Sequence, residues 1–127
     1  MPLEISILKG TGPKDLGTVV VKLAGSLDTA TAPDLEGRLT GTLAEPVENL
    51  VFDLAQLKFI SSAGLRVFAM ARKQIKARNG QTSFVNMQPQ IKEVFELIKA
   101  LPGVGVFKSM AEMDEYLAAR QRSHGEK

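Results

Sequence analysis

The chain lacks most of the residue types on which catalytic and metal sites depend. Its 127 residues include no cysteine, no tryptophan and a single histidine, which excludes a disulfide, a thiolate nucleophile and a sulfur-ligated metal. The one histidine, His124, lies close to the C-terminus in the polar stretch RQRSHGEK, which is a poor position for the histidine of a Ser-His-acid triad. No H-E-x-x-H pair occurs. We therefore predict no catalytic residue, no metal and no cofactor.

Glycine-rich phosphate loops and the hydrolase serine turn are also missing. The chain contains no G-x-x-x-x-G-K-[ST] sequence, so it carries no P-loop. The serine turn G-x-S-x-G is present only in its second half, because Ile60 stands where the first glycine would precede Ser62 and Gly64. The sequence predicts a protein that is not an enzyme.

Charge of one sign and long apolar runs are scarce as well. Lys and Arg number 16 against 14 Asp and Glu, a net charge of +2, and no basic run is interleaved with aromatic residues. This pattern argues against a nucleic acid partner. No segment approaches the roughly 18 apolar residues of a membrane span, and Glu4 stands where a signal peptide would be basic. We predict a cytoplasmic domain with neither a nucleic acid nor a membrane partner.

Strand and helix patterns alternate along what is present. Period-two or β-branched stretches predict strands at 3–8, 18–23, 49–54, 82–87 and 104–107, and start signals predict helices from near Thr31, Ser62, Pro89 and Ser109. The order ββαβαβαβα predicts an α/β fold in one domain over residues 1–120. The expected sheet is mostly parallel but mixed, with four to five strands and about four helices. Residues 121–127 are predicted to form a disordered tail.

Two details of these elements are specific enough to compare with a structure. The apolar run 49–54 predicts a strand buried on both faces. The second helix should bury Val67, Phe68, Ala71 and Ile75, and end at Asn79-Gly80 with Gly80 in the left-handed conformation.

The junction at 53–67 runs from a strand through a tight turn into a helix, and it places two hydroxyls at the helix N-terminus. One interpretation is that Ser61 or Ser62 merely caps the helix. The other is that this edge of the sheet, where loops cluster, docks a partner. Leu65, Ala69 and Met70, beside Arg66, then form an apolar patch with a charged rim, although Leu65 would instead be buried if the first helix covered it.

Two stretches of the sequence resemble the STAS domains, and among them the bacterial anti-sigma factor antagonists. The first is VVVKLAGSLDTATAPDL at 19–35, which is similar to the family's strand, G-x-L-D and helix start. The second, more specific, is NLVFDLAQLKFISSAGLRVF at 49–68, which is similar to its D-L…(D/S)-S-(S/A/T)-G-L block. The element order is similar along nearly the whole chain.

The resemblance implies a phosphorylation switch without catalytic groups in this chain. By position, Ser62 is the serine that an anti-sigma factor serine kinase phosphorylates, with Ser61 as second choice because it replaces an aspartate found in many members. The unphosphorylated domain would bind the kinase and the phosphorylated one would release it, a metal-dependent serine phosphatase resetting the cycle. The antagonist would need only an exposed hydroxyl, with Arg66 and Lys58 available to pair with the phosphate. The implied partner-binding residues are Asp28, Thr29, Ser61, Ser62, Ala63, Gly64, Leu65, Arg66, Ala69 and Met70.

Two alternatives remain at this point. The fold can serve as a scaffold or an accessory subunit, in a regulatory complex or in lipid transport, with Ser61 and Ser62 acting as caps alone. More remotely, the chain can be a small enzyme or a nucleotide-binding module, although no phosphate loop supports that.

Overall fold

Four strands form one mixed sheet in the order β1-β2-β3-β4. The structure is a computed structural model that describes residues 2–10, 17–100 and 110–125. Its β1 and β2 pair in antiparallel fashion, whereas β2 with β3 and β3 with β4 are parallel. The strands are β1 (Leu3–Lys9), β2 (Thr18–Leu27), β3 (Asn49–Ile60) and β4 (Gln81–Val85). The predicted hairpin followed by parallel strands is confirmed, while the strand predicted at 104–107 lies outside the described residues.

Four helices follow the strands as the sequence predicts. They are α1 (Ala32–Leu43), α2 (Ser62–Ala77), α3 (Pro89–Ala100) and α4 (Met110–Gly125). The predicted core face of α2 is confirmed, since Ala71 and Ile75 are fully buried and Val67 and Phe68 nearly so. Within the described ranges, no helix combines the length and the apolarity that crossing a membrane requires.

The strand β3 is the centre of the core, but only one of its faces is fully buried. Leu50, Phe52 and Leu54 are 0% exposed, whereas Val51 and Asp53 between them are only half-buried. The expectation of burial on both faces was therefore wrong. On the less covered face of the sheet, exposed Glu4, Ser6, Lys22 and Gln56 line a shallow depression.

The end of α2 corrects the role predicted for Gly80. The left-handed residue is Asn79, with φ of 63°, and an asparagine tolerates this conformation better than most residues. Gly80 is required for a different reason: a Cβ there would lie 2.3 Å from the carbonyl oxygen of Glu48. Close approach of two backbones, not a positive φ, requires glycine at position 80.

The last helix runs on past residue 120, where the sequence predicts the start of a disordered tail. It extends to Gly125, and Gln121 is only 5% exposed. The polar sequence predicts a tail because it has no apolar residue to bury. In the structure, however, the Gln121 side chain is buried by hydrogen bonding to the backbone of Ile60 and Leu117.

Candidate functional site

The strands β2 and β3 end side by side, at the point where α2 begins. Leu27 pairs with Ile60 in the parallel register, and the Ser61 N–H donates to the Leu27 carbonyl at 2.9 Å. Ser61 itself is extended, with φ of −103° and ψ of 176°, and its carbonyl accepts the first helical hydrogen bond, from Leu65 N at 3.0 Å. The predicted junction therefore exists, and it places Ser62 in the first turn of α2 at the carboxyl edge of the sheet.

Both serines of this junction are buried, unlike the exposed hydroxyl that the sequence led us to expect. Ser61 is 5% exposed and Ser62 is 4% exposed. Ser61 occupies the cap position but makes no side-chain capping bond, and its Oγ is buried without a hydrogen-bond partner in the described part of the chain. The interpretation of Ser61 as a helix cap is therefore not supported by the geometry.

The helix α4 contacts the junction, and one of its side chains accepts a hydrogen bond at the N-terminus of α2 that Ser61 does not make. Asp114 Oδ1 accepts a hydrogen bond from Ser62 N at 2.8 Å. The side-chain amide of Gln121 accepts from Ile60 N at 2.8 Å and donates to Ile60 O at 2.7 Å, so it pairs with β3 much as a neighbouring strand would. It also donates to Leu117 O at 3.0 Å. Sequence reasoning missed Asp114 and Gln121, since no local signal joins them to residues far earlier in the chain.

Glycine is required at position 64 by the closeness of α2 to the sheet. A Cβ on Gly64 would lie 2.6 Å from Leu27 Cγ and 3.0 Å from Ile60 Cγ1. The first turn of α2 therefore rests directly on the last residues of β2 and β3. Gly64, predicted to bind a partner, is buried in this contact.

The remaining predicted docking residues do not form one patch. The predicted residues that face α1 line a shallow depression of about 400 Å³. The predicted residues that face β4 and α3 line a second depression of about 540 Å³, whose walls include Phe68, Phe84 and Phe95. The first contains Thr29, Ala63, Arg66 and Met70; the second contains Leu65 and Ala69. Arg66 and Ala69 are exposed and Leu65 is half-buried. In the described ranges, no three acidic or histidine side chains come together as a metal site would require.

The sequence that forms these strands and helices matches a known family along most of its length. The model of the STAS domain aligns with residues 12–113. The chain belongs to the STAS domain family.

Among the relatives of this STAS domain are bacterial anti-sigma factor antagonists. It is 34% identical over 90 residues to BtrV of Bordetella bronchiseptica, provisionally assigned as an anti-sigma factor antagonist, an alignment that covers 71% of this chain and 78% of BtrV. It is 29% identical over 79 residues to the anti-sigma-B factor antagonist of Bacillus subtilis, covering 62% and 72% of the two chains. The predicted relationship is confirmed.

Solved structures show the same fold. The Bacillus cell fate determinant SpoIIAA in its phosphorylated form superimposes with a TM-score of 0.62 at 21% identity, covering 75% of this STAS domain and 83% of SpoIIAA. The predicted α/β fold of the family is therefore confirmed, with four strands and four helices in the described ranges.

Asp28, one of the predicted partner-binding residues, holds the loop between β2 and α1. Its Oδ1 accepts hydrogen bonds from the backbone N–H groups of Ala30 and Thr31, both at 3.0 Å. Thr31 Oγ1 in turn donates to Ser26 O at 2.8 Å. In this STAS domain the Asp28 carboxylate therefore has a structural role, because it bonds two backbone N–H groups of the loop.

We expect Asp28→Ala to lower the free energy of unfolding by about 1 kcal/mol, because two N–H groups lose the acceptor that terminates the loop. Thr29→Ala at the exposed neighbouring position should change it by less than about 0.5 kcal/mol. Urea unfolding of both variants provides the measurement. Equal stability of the two would show that the Asp28 hydrogen bonds do not stabilise the domain.

Proposed function

We propose that this STAS domain is an anti-sigma factor antagonist that works as a phosphorylation-controlled partner switch. Unphosphorylated, it binds an anti-sigma factor serine kinase; phosphorylated on Ser62, it releases that kinase. The observation that carries the proposal is the position of Ser62 in the family's D-L…S-S-A-G-L block, in the first turn of α2. The names of the relatives, anti-sigma factor antagonists, support the same pathway.

The local geometry favours Ser62 over Ser61 as the phosphate acceptor. Both serines are buried, so exposure does not distinguish them, but the Ser61 backbone makes hydrogen bonds on both sides, from its N–H to Leu27 O and from Leu65 N to its carbonyl. Ser62 follows at the helix N-terminus, where the unpaired N–H groups and the helix dipole favour an anion.

For phosphorylation, this domain has to provide only the serine hydroxyl that receives the phosphate. The Ser62 oxygen would attack the γ-phosphorus of ATP in the kinase, the bond to the β-phosphate would break, and the serine proton would pass to a kinase base while ADP leaves. A metal-dependent serine phosphatase would reverse the modification by hydrolysing the phosphate ester with water. ATP, the metal ion and the catalytic base belong to those two partners.

Release of the partner would follow from charge at the interface. The phosphate adds about −1.5 to −2 charges, and burying it uncompensated against the kinase would cost several kcal/mol. The exposed cations Arg66 and Lys58 would pair with it on the surface of the STAS domain itself. The exposed part of α2 around Arg66 and Ala69 is the proposed contact surface.

The test is the intact mass of the domain before and after incubation with ATP and an anti-sigma kinase encoded in the same genome. We expect one added phosphate, located on Ser62 by fragmentation, absent in Ser62→Ala and retained in Ser61→Ala. The phosphorylated form should no longer co-elute with the kinase. A kinase that binds the domain tightly and yet leaves Ser62 unmodified would contradict the proposal.

One observation favours a second candidate, a constitutive scaffold or accessory subunit. Both serines are buried, and the N–H of Ser62 is bonded to Asp114 of α4, as structural residues would be. In that case Ser62→Asp would leave partner binding unchanged in a pull-down, whereas the switch predicts its loss.

A further inference from the structure

We propose that β1 is the contact surface for a second copy of this chain, whose own β1 pairs with it in antiparallel orientation and joins the two sheets edge to edge. In the sheet order β1-β2-β3-β4, β1 is an edge strand and pairs with β2 alone among the described strands. The inference goes beyond the proposed function, because Ser62 follows β3 and takes no part in the contact.

The first argument is that the outer edge of β1 presents backbone groups ready to pair. Gly10 N donates to Thr18 O at 2.9 Å, which continues the register of β1 with β2 by one pair. Residues bonded to the neighbouring strand alternate with residues whose N–H and C=O point away from it. The outward set is therefore Leu3, Ile5, Ile7 and Lys9. The strand contains no proline and no bulge, and an edge of this kind is a template for another strand.

The second argument is that the apolar residues of β1 are incompletely covered. Ile5 and Ile7 are half-buried, whereas Leu23 and Val21, their partners on β2, are 1% and 0% exposed. Between β1 and α1 lie two shallow depressions of about 490 and 440 Å³, and Arg38 borders both of them. A strand added at this edge would cover the apolar row further, and removal of apolar surface from water favours the contact.

The third argument is that the charges of β1 complement those of the same strand turned end for end. Glu4 is exposed near one end of β1 and Lys9 is exposed at the other. Parallel pairing of two copies would place like charges side by side, whereas antiparallel pairing brings the acidic end of each copy to the basic end of the other. Asp34 of α1 adds to the acidic end. Lys9 is also bonded to Glu45 of its own chain, so its charge is shared between the two acids.

A two-fold axis through Ser6, perpendicular to the sheet, satisfies these conditions together. It sets Ile5 of each copy opposite Ile7 of the other, and it keeps the helices of both copies on the same side of the joined sheet. Both isoleucines belong to the outward set, so they exchange two backbone hydrogen bonds, and β-branched cross-strand neighbours pack well. The 7 residues of β1 span about 23 Å. Such a small interface predicts a weak dimer that depends on concentration.

Sedimentation velocity and residue-resolved hydrogen exchange on the full chain, in dilute and in concentrated solution, test the pairing. We expect the mass to rise towards that of a dimer with concentration. The amides of Ile5 and Ile7 should then exchange at least about tenfold more slowly, whereas those of Ser6 and Leu8, already bonded to β2, should not change. A monomer at every concentration, or a dimer without protection of Ile5 and Ile7, would overturn the proposal. Protection that appears only with an added protein would assign the edge to that protein instead.

Two matched pairs of variants separate the backbone contribution from the charge contribution. Ile7→Pro and Ile7→Ala both remove the branched side chain, but only proline also removes the outward N–H, which β2 does not use. We expect the alanine variant to dimerise more weakly and the proline variant not at all. Glu4→Lys makes both ends of β1 basic and should raise the dissociation constant about fivefold. Glu36→Lys makes the same charge change on the exposed side of α1 that faces α2 and should leave it unchanged. Equal dissociation constants for these two variants, which remain informative if Ile7→Pro does not fold, would overturn the antiparallel pairing.

Discussion

Replacing Phe52 with alanine is expected to lower the free energy of unfolding by about 3–5 kcal/mol, the largest effect of any substitution considered for this domain. Phe52 lies in the middle of β3 and is 0% exposed. Its ring centroid is 4.7 Å from that of Phe68 on α2 and 5.3 Å from that of Phe84 on β4. Truncation would remove buried area and leave a cavity at the point where β3, α2 and β4 meet, since the surrounding strands can close in only partly.

The control for this prediction is Phe95→Ala, at the rim of the same aromatic cluster. Phe95 is only half-buried and its ring touches Phe84 and Phe68 at centroid distances of 5.0 and 6.2 Å. We expect a clearly smaller loss, because the rim of the cluster is open to solvent. Urea denaturation gives both values; losses of equal size would show that β3 is not the centre of the cooperative core.

The second large effect is expected at the start of α2. Gly64→Ala should destabilise the domain by about 2–3 kcal/mol, within the range of overpacked cores. The new methyl group would lie 2.6 Å from Leu27 Cγ and 2.9 Å from Leu27 Cδ2, and Leu27 is itself 0% exposed. Because the Leu27 side chain is fully buried, it has little room to move away. The first turn of α2, and Ser62 with it, would therefore have to shift away from the sheet.

Gly37→Ala is the matched control because it makes the same chemical change inside a helix. Gly37 lies on the exposed face of α1, and a Cβ there would meet no described atom within 4 Å. Alanine at an exposed helical position should therefore stabilise the domain by about 0.5–1 kcal/mol through its higher helix propensity. Thermal unfolding distinguishes the two predictions, because Gly64→Ala should lower the unfolding temperature and Gly37→Ala should raise it. A stabilising Gly64→Ala would mean that α2 does not rest on the ends of β2 and β3 as described.

The architecture of this domain could be read from the sequence because its signals are local. Periodicity within each segment predicts the hairpin, the parallel strands and the face of α2 that carries Ala71 and Ile75, and these agree with the structure. The junction before Ser62 was predicted for the same reason, since a strand, a turn and a helix start are each recognisable within a few residues. The family block at 49–68 adds the expectation that Ser62 is the acceptor, which remains a prediction.

Errors in the sequence interpretation occurred where a residue's environment depends on other segments. The apolar run 49–54 does not reveal that one face of β3 is open, because that depends on where the helices pack. Gly80 was assigned a left-handed φ, whereas the constraint comes from the approach of Glu48 O. The docking residues on α2 fall into two depressions because α1 lies on one side of the helix and α3 on the other.

By itself, then, the sequence determined the order of the elements, the core face of α2 and the place of Ser62 at a helix N-terminus. Only the tertiary structure decided that this serine is buried and which residues bond to the backbone around it. Asp114 and Gln121 are polar residues in a polar segment, and nothing local distinguishes them from solvated neighbours. Their hydrogen bonds to Ser62 N and Ile60 span 52 and 61 residues of chain. A backbone group bonds to whichever partner the fold brings within reach, so such a contact is determined by the packing of α4 on β3 and α2.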